Sequence, residues 1–342
     1  MRPRRHHAIA GSALLMLLAG APLYAQSYHV AKTFTLGGDG GWDYVTLDTV
    51  GHRLFVARQD RVMVIDPTSG KLLAEIPGLN RAHGVAFSYR TGKGFATSGG
   101  DSSVVVFDLK TLKVLGRTTA AVDADAVLFD PATKHVFTFN GDAGSSSVID
   151  ATSGRRIGSI DLGGKPEFGV TTGTGRLYVN IEDSSAVAEI DPAARKVTRR
   201  WSLAPCESPT GLAIDRARAI LFSGCRNGVM AISDAKSGKL ITTVPIGQGV
   251  DAARFDPATQ LAFASNGEGT ITVIHEDAQD KFTVVGTVQT KRGARTMELD
   301  LKTHRLFTVT ADFGPPPAAT ADRPRPRPPV LPGTFALLEL DP

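Results

Sequence analysis

The amino-acid sequence predicts an all-β fold, a seven-bladed β-propeller with four strands in each blade. A strand–turn–strand segment recurs seven times along the 342 residues, at intervals of 40 to 44 residues. Each unit holds short runs of β-branched and aromatic residues separated by Gly, Pro, Asn and Asp, and none shows the 3.6-residue periodicity of a long helix. Seven units of this period are typical of a propeller.

The first two strands of each unit show the repeat best. The segment from Asp43 to Ala57 reads DYVTLDTVGHRLFVA, and DAVLFDPATKHVFTF, TGLAIDRARAILFSG and RTMELDLKTHRLFTV resemble it. The residues taken to end the first strands are Asp48, Ser88, Asp130, Gly173, Asp215, Asp256 and Asp300. Because a single blade cannot bury its own apolar faces, we expect residues such as Phe55, Phe137 and Phe263 to pack between stacked blades.

The two ends of the repeat predict how the ring closes. The last unit supplies three strands, and the stretch YHVAKTFTL, which begins at Tyr28, is a strand that precedes the first unit. We therefore expect the N-terminal strand to complete the seventh blade as its outer strand, which removes open strand edges. An open solenoid is the alternative, but it would require capping repeats.

The N-terminal segment is predicted to be a secretory signal peptide over residues 1–25, cleaved near Ala25. Arg2, Arg4 and Arg5 precede a short apolar run, and Leu23-Tyr24-Ala25 offers a small-residue cleavage site. An uncleaved anchor is the alternative, although the run is short for a membrane span. Residues 26–342 would then form a single propeller domain in the periplasm, without a transmembrane segment.

The charge of the exported part argues against nucleic acid as a partner. Removal of residues 1–25 leaves 35 basic and 34 acidic residues, a formal charge of +1. We expect a monomer whose partner is a small ligand or a periplasmic or envelope protein.

Short motifs connect the repeats to a known family. RLFVA and RLYVN occur on second strands, VMVIDPTSGKLLAEIP at a blade end and FDPAT before turns. From residue 28 to residue 342 the chain resembles the YVTN-type, YncE-like propellers of exported bacterial proteins. The resemblance implies an exported seven-bladed propeller but no particular reaction, because blades rather than chemistry unite the family.

The register of the repeats predicts a polar face. In a propeller, the loops that lead into the inner strands and those that follow the second strands lie on one face. Five residues before each repeat position come Asp43, His83, Asp125, Phe168, Thr210, Asp251 and Arg295, with Glu167 just ahead of Phe168. We expect a ligand-binding funnel formed by Asp43, His83, Asp125, Glu167, Asn180, Asp251 and Arg295. Clustered carboxylates attract a cation or a basic ligand, although a hydrated channel mouth without a ligand is the alternative.

Three functional hypotheses follow from this face. The first is a binding protein without catalysis, in which the carboxylates capture a cation or an amine and Arg295 orients an anionic group. The second is a metal-dependent hydrolase that resembles the propeller lactonases, with Asp125 or Glu167 as base. No cofactor is expected other than a divalent cation, calcium or magnesium, held by Asp43, Asp125, Glu167 and Asp251.

The third hypothesis is a protein-interaction scaffold that uses the Pro-rich insertion of residues 311–335. Proline holds this basic segment extended, so it could cover the funnel as a lid, offer a docking strip or remain a solvated loop.

Two pairs of residues elsewhere are predicted to be structural. Cys206 and Cys225 flank antiparallel neighbouring strands, so we expect a disulfide in an exported protein; a reactive thiol or a soft-metal pair is the alternative. Arg254 and Glu298 share one register in neighbouring blades and are expected to form an ion pair.

Overall fold

The computed structural model describes residues 28–278, 280–320 and 326–342. The predicted signal peptide, residues 1–25, lies outside the described residues. The described chain consists of 28 strands in seven four-stranded antiparallel sheets, which confirms the predicted seven-bladed propeller. Among the described residues, the helical content is a single 3₁₀ turn at Gly99–Asp101.

Each of the first three blades is formed by four consecutive strands. Blade one contains β2 (Val45–Asp48), β3 (Arg53–Arg58), β4 (Arg61–Ile65) and β5 (Leu72–Pro77). Blade two contains β6 (Ala82–Ser88), β7 (Lys93–Ser98), β8 (Ser103–Asp108) and β9 (Val114–Thr119). Blade three contains β10 (Ala124–Asp130), β11 (His135–Asn140), β12 (Ser145–Asp150) and β13 (Arg156–Asp161).

Blades four to six repeat this order. Blade four contains β14 (Pro166–Thr171), β15 (Leu177–Ile181), β16 (Ala186–Asp191) and β17 (Lys196–Ser202). Blade five contains β18 (Pro209–Asp215), β19 (Ile220–Cys225), β20 (Val229–Asp234) and β21 (Leu240–Pro245). Blade six contains β22 (Val250–Asp256), β23 (Leu261–Asn266), β24 (Thr270–Ala278) and β25 (Lys281–Gln289).

The seventh blade closes the ring as predicted. It combines the inner strands β26 (Met297–Asp300), β27 (Arg305–Thr310) and β28 (Ala336–Asp341) with the N-terminal strand β1 (His29–Thr35). Strand β1 pairs antiparallel with β28, from His29 opposite Asp341 to Thr35 opposite Ala336. Because β26 also contacts β2, the first and last blades meet and the stack of sheets has no free end.

The core lies between the blades, where the side chains of one sheet pack on those of the next. Phe55 of blade one contacts Phe87 of blade two with ring centroids 4.8 Å apart. In the same way, Phe222 of blade five stacks on Phe255 of blade six at 5.1 Å. Burial of such aromatic side chains on both sides of each sheet stabilises the ring, because no blade can cover its own apolar surface.

A recurrent aspartate shapes the turns between the third and fourth strands. In blade one, Asp66 Oδ1 accepts hydrogen bonds from the backbone N–H groups of Thr68 and Ser69, at 2.8 and 3.0 Å. Gly70 then adopts a φ of +68°, which favours glycine. The repeated Asp-Pro and Ser-Gly motifs of the sequence are therefore turn signals.

The disulfide prediction is confirmed. Cys206 and Cys225 are joined, with Cα atoms 5.6 Å apart, and the bridge ties the chain segment before β18 to the end of β19. Among the described residues, the structure contains no helix long and apolar enough to cross a membrane.

Candidate functional site

Strand pairing brings one residue from each blade to the mouth of the central channel. The first pairs of the inner and second strands are Ala82 with Ser98, Ala124 with Asn140, Pro166 with Ile181, Pro209 with Cys225 and Val250 with Asn266. In each pair, the residue of interest is the one that directly follows the inner-strand member along the chain. We call these residues, with their equivalents in blades one and seven, the acidic ring. Its members are Asp43, His83, Asp125, Glu167, Thr210, Asp251 and Arg295.

The position predicted for blade four was wrong by one residue. Counting back from Gly173 had placed Phe168 at this register, whereas the pairing places Glu167 there. The reason is that Gly173, with a φ of +77°, lies inside the turn and does not end the first strand. The last strand pair is Thr171 with Leu177, and the Thr172 N–H donates to the carbonyl of Arg176.

The cationic members of the acidic ring each contact two carboxylates. Arg295 Nε lies 2.6 Å from Asp251 Oδ2, and Arg295 Nη2 lies 3.6 Å from Asp43 Oδ1. His83 Nδ1 lies 2.5 Å from Asp43 Oδ2 and 3.3 Å from Asp125 Oδ1. A continuous chain of alternating charge therefore runs around more than half of the ring, through Asp251, Arg295, Asp43, His83 and Asp125.

Glu167 belongs to a second cluster beside this chain. Lys165 Nζ lies 2.6 Å from Glu182 Oε2 and 3.5 Å from Glu167 Oε1. Arg226 Nη1 lies 2.7 Å from Glu182 Oε1. Burial raises the pKa of Glu167 to about 9, and a hydrogen bond that the protonated Glu167 donates to the Glu182 carboxylate adds to the rise. Although burial opposes it, the contacts with Glu167, Lys165 and Arg226 lower the pKa of Glu182, so Glu182 carries the charge that faces the two cations.

Desolvation sets the protonation of the carboxylates in the ring. Burial raises the pKa of Asp125 to about 7, although the nearby His83 opposes the shift. Burial also raises the pKa of Asp251, against the favourable charge of Arg295. For His83, burial alone would lower the pKa, but the hydrogen bond to Asp43 and the charge of Asp125 more than offset it, so the pKa is raised. Ionised carboxylates at this mouth are therefore costly in the free protein.

Aromatic side chains close the channel at the level of the ring. Tyr44 of blade one contacts Phe168 of blade four, with ring centroids 5.3 Å apart. Because blades two and three separate these blades, the contact crosses the axis of the propeller. The Arg254 guanidinium lies 5.1 Å from the centre of the Phe168 ring.

The predicted ion pair between Arg254 and Glu298 is confirmed in this closure. Arg254 Nε lies 2.9 Å from Glu298 Oε1, and Nη2 donates to Oε2 at 3.3 Å. The pair joins the inner strands of blades six and seven. Its two-point geometry and its stacking on Phe168 give it a structural role.

Asn180 does not reach the acidic ring. Its side chain is fully buried, and its amide donates to the carbonyls of Thr210 and Gly211 at 2.9 and 3.1 Å. Its oxygen accepts a hydrogen bond from Ser223. Because every polar atom of the amide is occupied within the protein, Asn180 braces blade four against blade five and offers no group to a ligand.

The predicted metal ligands separate into different surroundings. Asp43, His83 and Asp125 each offer one atom within 4.8 Å of the other two, whereas Glu167 pairs with Glu182 and Asp251 with Arg295. A set of one imidazole and two carboxylates suits zinc or manganese better than the predicted calcium or magnesium, which prefer oxygen ligands throughout. The three residues fit a transition metal, provided that His83 releases the proton it shares with Asp43.

The Pro-rich insertion lies between β27 and β28 of blade seven. Phe313 and Val330 form an isolated bridge, and hydrogen bonds from Gly314 to Pro329 and from Leu331 to Asp312 fix its base at 2.9 and 2.8 Å. Trp42, which precedes the acidic ring in blade one, packs against Phe313 with centroids 6.0 Å apart. Residues 321–325 lie outside the described residues, so the predicted lid remains a prediction.

Comparisons with known proteins support the fold. A solved structure titled Kuenenia stuttgartiensis hydrazine synthase matches with a TM-score of 0.69 at 15% sequence identity, over 80% of this chain and 94% of that one. No family model and no curated protein matches the sequence. At this identity the structural likeness shows a shared propeller architecture.

Proposed function

We propose that this chain is an exported binding protein, without catalysis, that holds a cationic ligand at the acidic ring. The observation that carries the proposal is the composition of the ring: four carboxylic acids share one register with a single arginine and a single histidine. The side chains of Asp43, Asp125 and Asp251 are 16, 21 and 19% exposed, so they are accessible from the face. A positive charge placed among them would offset the cost of ionising them.

Location in the periplasm and membership of the YVTN-type family are parts of this proposal. The disulfide supports export, because disulfides persist in oxidising compartments. The repeated turn motifs and the closure of the seventh blade by β1 are compatible with that family.

The test is a titration of the mature protein, residues 26–342, with small amines and with divalent metals, followed by calorimetry. The variants Asp125→Asn and Asp251→Asn remove ring charges, and Asp142→Asn removes an exposed carboxylate from the loop that follows β11. We expect binding that either ring variant weakens and that the control variant leaves unchanged. Binding unaffected by both ring variants would contradict the proposal.

A metal-dependent hydrolase is the second candidate, and the triad of Asp43, His83 and Asp125 favours it. A divalent ion bound there would polarise a carbonyl of the substrate. Elemental analysis of protein purified without chelator, together with assays of lactone and ester hydrolysis before and after EDTA, distinguishes it from binding without catalysis. Stoichiometric metal together with hydrolysis that EDTA abolishes would favour the hydrolase.

A scaffold function for the Pro-rich insertion is the third candidate. Residues 315–320 are exposed beyond the hydrogen-bonded base of the insertion, on the blade that closes the ring. Replacement of residues 315–328 by a short Gly-Ser turn should abolish binding of a partner protein if this candidate is right. The acidic ring would be intact, so cation binding would persist.

A further inference from the structure

The face opposite the acidic ring carries two sets of turns. Since every inner strand begins at the level of the ring and neighbouring strands are antiparallel, the turns after the first and the third strands lie at the other end of each blade. Hydrogen bonds join the two sets: Leu109 donates to the Gly92 carbonyl at 2.8 Å, and Ala151 to the Lys134 carbonyl at 3.3 Å. We call this surface the basal face. It comprises residues 49–52, 89–92, 131–134, 172–176, 216–219, 257–260 and 301–304 and, in blades one to five, residues 66–71, 109–113, 151–155, 192–195 and 235–239.

The basal face is positively charged. All of these turns lie within the described residues, and their exposed lysine and arginine side chains are not matched by any exposed acidic side chain. The exposed cations are Lys71, Arg90, Lys110, Lys113, Lys134, Arg155, Arg176, Arg216, Lys236, Lys239 and Lys302. The aspartates that end the inner strands are at most 6% exposed, and they are Asp48, Asp130, Asp215, Asp256 and Asp300. Aspartates of the outer turns, such as Asp66, are half-buried and accept hydrogen bonds from the turn backbone. The propeller therefore presents opposite charges on its two faces.

Three large apolar side chains project from the basal face on consecutive blades. Leu301 of blade seven, Val50 of blade one and Tyr89 of blade two are 51, 73 and 44% exposed. The Thr49 N–H donates to the Tyr89 hydroxyl at 3.2 Å, which joins the turns of blades one and two. A cavity of about 360 Å³, lined by residues that include His52 and Leu301, lies between the turns of blades seven and one. We call this region the basal patch, formed by Val50, Lys71, Tyr89, Arg90, Leu301 and Lys302.

The other blades do not offer the same combination. Apart from proline, the turns after the first strands of blades three to six contain no apolar side chain larger than alanine. The hairpin between the third and fourth strands of blade six exposes Asp277 and Asp280, which would repel an anionic surface. Apolar and cationic side chains thus occur together only around blades seven, one and two among the described turns.

We propose that the basal patch binds the surface of an anionic phospholipid membrane. The cations attract the phosphate groups, and the exposed apolar side chains insert at the boundary between headgroups and acyl chains. A nucleic acid would use the cations alone, because stacking on bases requires aromatic rings and Tyr89 is the one aromatic side chain in the patch. The inference goes beyond cation binding at the acidic ring and does not rest on it. Bound in this way, the propeller turns the acidic ring away from the membrane.

The first experiment is co-sedimentation of the mature protein, residues 26–342, with lipid vesicles. Vesicles of phosphatidylethanolamine and phosphatidylglycerol are compared with vesicles of phosphatidylcholine at low salt. We expect binding to the anionic vesicles that high salt releases, and at least about 10-fold weaker binding to phosphatidylcholine. Equal binding to the two kinds of vesicle, or no binding to the anionic ones, would overturn the inference.

A charge variant tests whether the basal patch is the contact. It replaces three cations of the patch by glutamine, Lys71→Gln, Arg90→Gln and Lys302→Gln. A matched control makes the same change of net charge on blades four and five, Lys196→Gln, Lys236→Gln and Lys239→Gln. Because each cation near the lipid contributes a factor of about 5, we expect about 100-fold weaker binding for the patch variant and less than about 10-fold for the control. Equal weakening would show that net charge alone governs binding, and it would overturn the assignment of the patch.

An apolar variant, Val50→Ser with Leu301→Ser, separates a membrane from other polyanions. Both side chains are exposed, so we expect an unchanged melting temperature and about 10-fold weaker binding to anionic vesicles. The control Val122→Ser changes a residue that is 57% exposed in the loop leading into β10, and it should bind vesicles as the wild type does. Vesicle binding unchanged in the apolar variant would overturn the inference. Binding of a duplex oligonucleotide as tight as that of vesicles, and equal in the wild type and the apolar variant, would assign the face to nucleic acid instead.

Discussion

Replacement of Asp125 by asparagine should stabilise the protein at alkaline pH. Burial raises the pKa of Asp125 from 3.8 to about 7, so the folded protein keeps this proton longer than the unfolded chain does. The ionisation therefore removes stability as the pH rises from about 4 to about 7, and the loss is fully present above that range. At about 1.4 kcal/mol for each pKa unit, the full cost is about 4 kcal/mol. Because the side chain is 21% exposed, part of this cost is relieved by water.

The assay is urea unfolding followed by tryptophan fluorescence, at pH 4.5 and at pH 8.5, in the absence of amines and metals. We expect the Asp125→Asn variant to be more stable than the wild type by about 2 to 4 kcal/mol at pH 8.5 and nearly equal to it at pH 4.5. The exposed control, Asp142→Asn, should show no such pH dependence. A variant that is less stable than the wild type at pH 8.5 would refute the charge balance described for the ring.

Three further changes test the framework around the site, each by equilibrium unfolding. Replacing Cys206 and Cys225 by serine should lower the free energy of unfolding by about 3 kcal/mol, because the disulfide closes a loop of about 20 residues. An unchanged free energy of unfolding would show that the disulfide does not stabilise the fold. Glu298→Gln should lower the free energy of unfolding by about 3 to 5 kcal/mol, because it leaves Arg254 unpaired. Joint replacement of Arg254 and Glu298 by methionine should recover most of this loss. An equal loss in the single and the double variant would contradict the pairing. Deletion of residues 28–35 removes the outer strand of blade seven, so a cooperative transition at the wild-type temperature would contradict closure by β1.

Most of the fold could be predicted from the sequence, because a propeller repeats its hydrophobic pattern and its turns. An aspartate ends or directly follows the third strand in blades one to five, and a glycine comes four residues later in blades one, three and five; both are visible without a structure. The closing strand was also visible, as a β-type run with no other unit to join. The disulfide and the Arg254–Glu298 pair followed from register alone.

The site was only partly predictable, because register depends on the residue at which each strand ends. In blade four the first strand ends before Gly173, so Glu167 rather than Phe168 takes the position in the acidic ring. Asn180 stands one residue before the end of its strand, so its side chain turns to the neighbouring blade rather than to the loop. Tyr44 was missed as a site residue, since nothing in the pattern tells a channel-crossing aromatic side chain from a core one.

Calorimetric titration of the wild-type protein, Asp125→Asn, Asp251→Asn and Asp142→Asn with n-butylamine and with zinc tests the central claim most directly. The account predicts one cation per chain for the wild type and the Asp142→Asn control, and clearly weaker binding for both ring variants. Binding of equal strength in all four proteins, or no binding of either cation to the wild type, would contradict it.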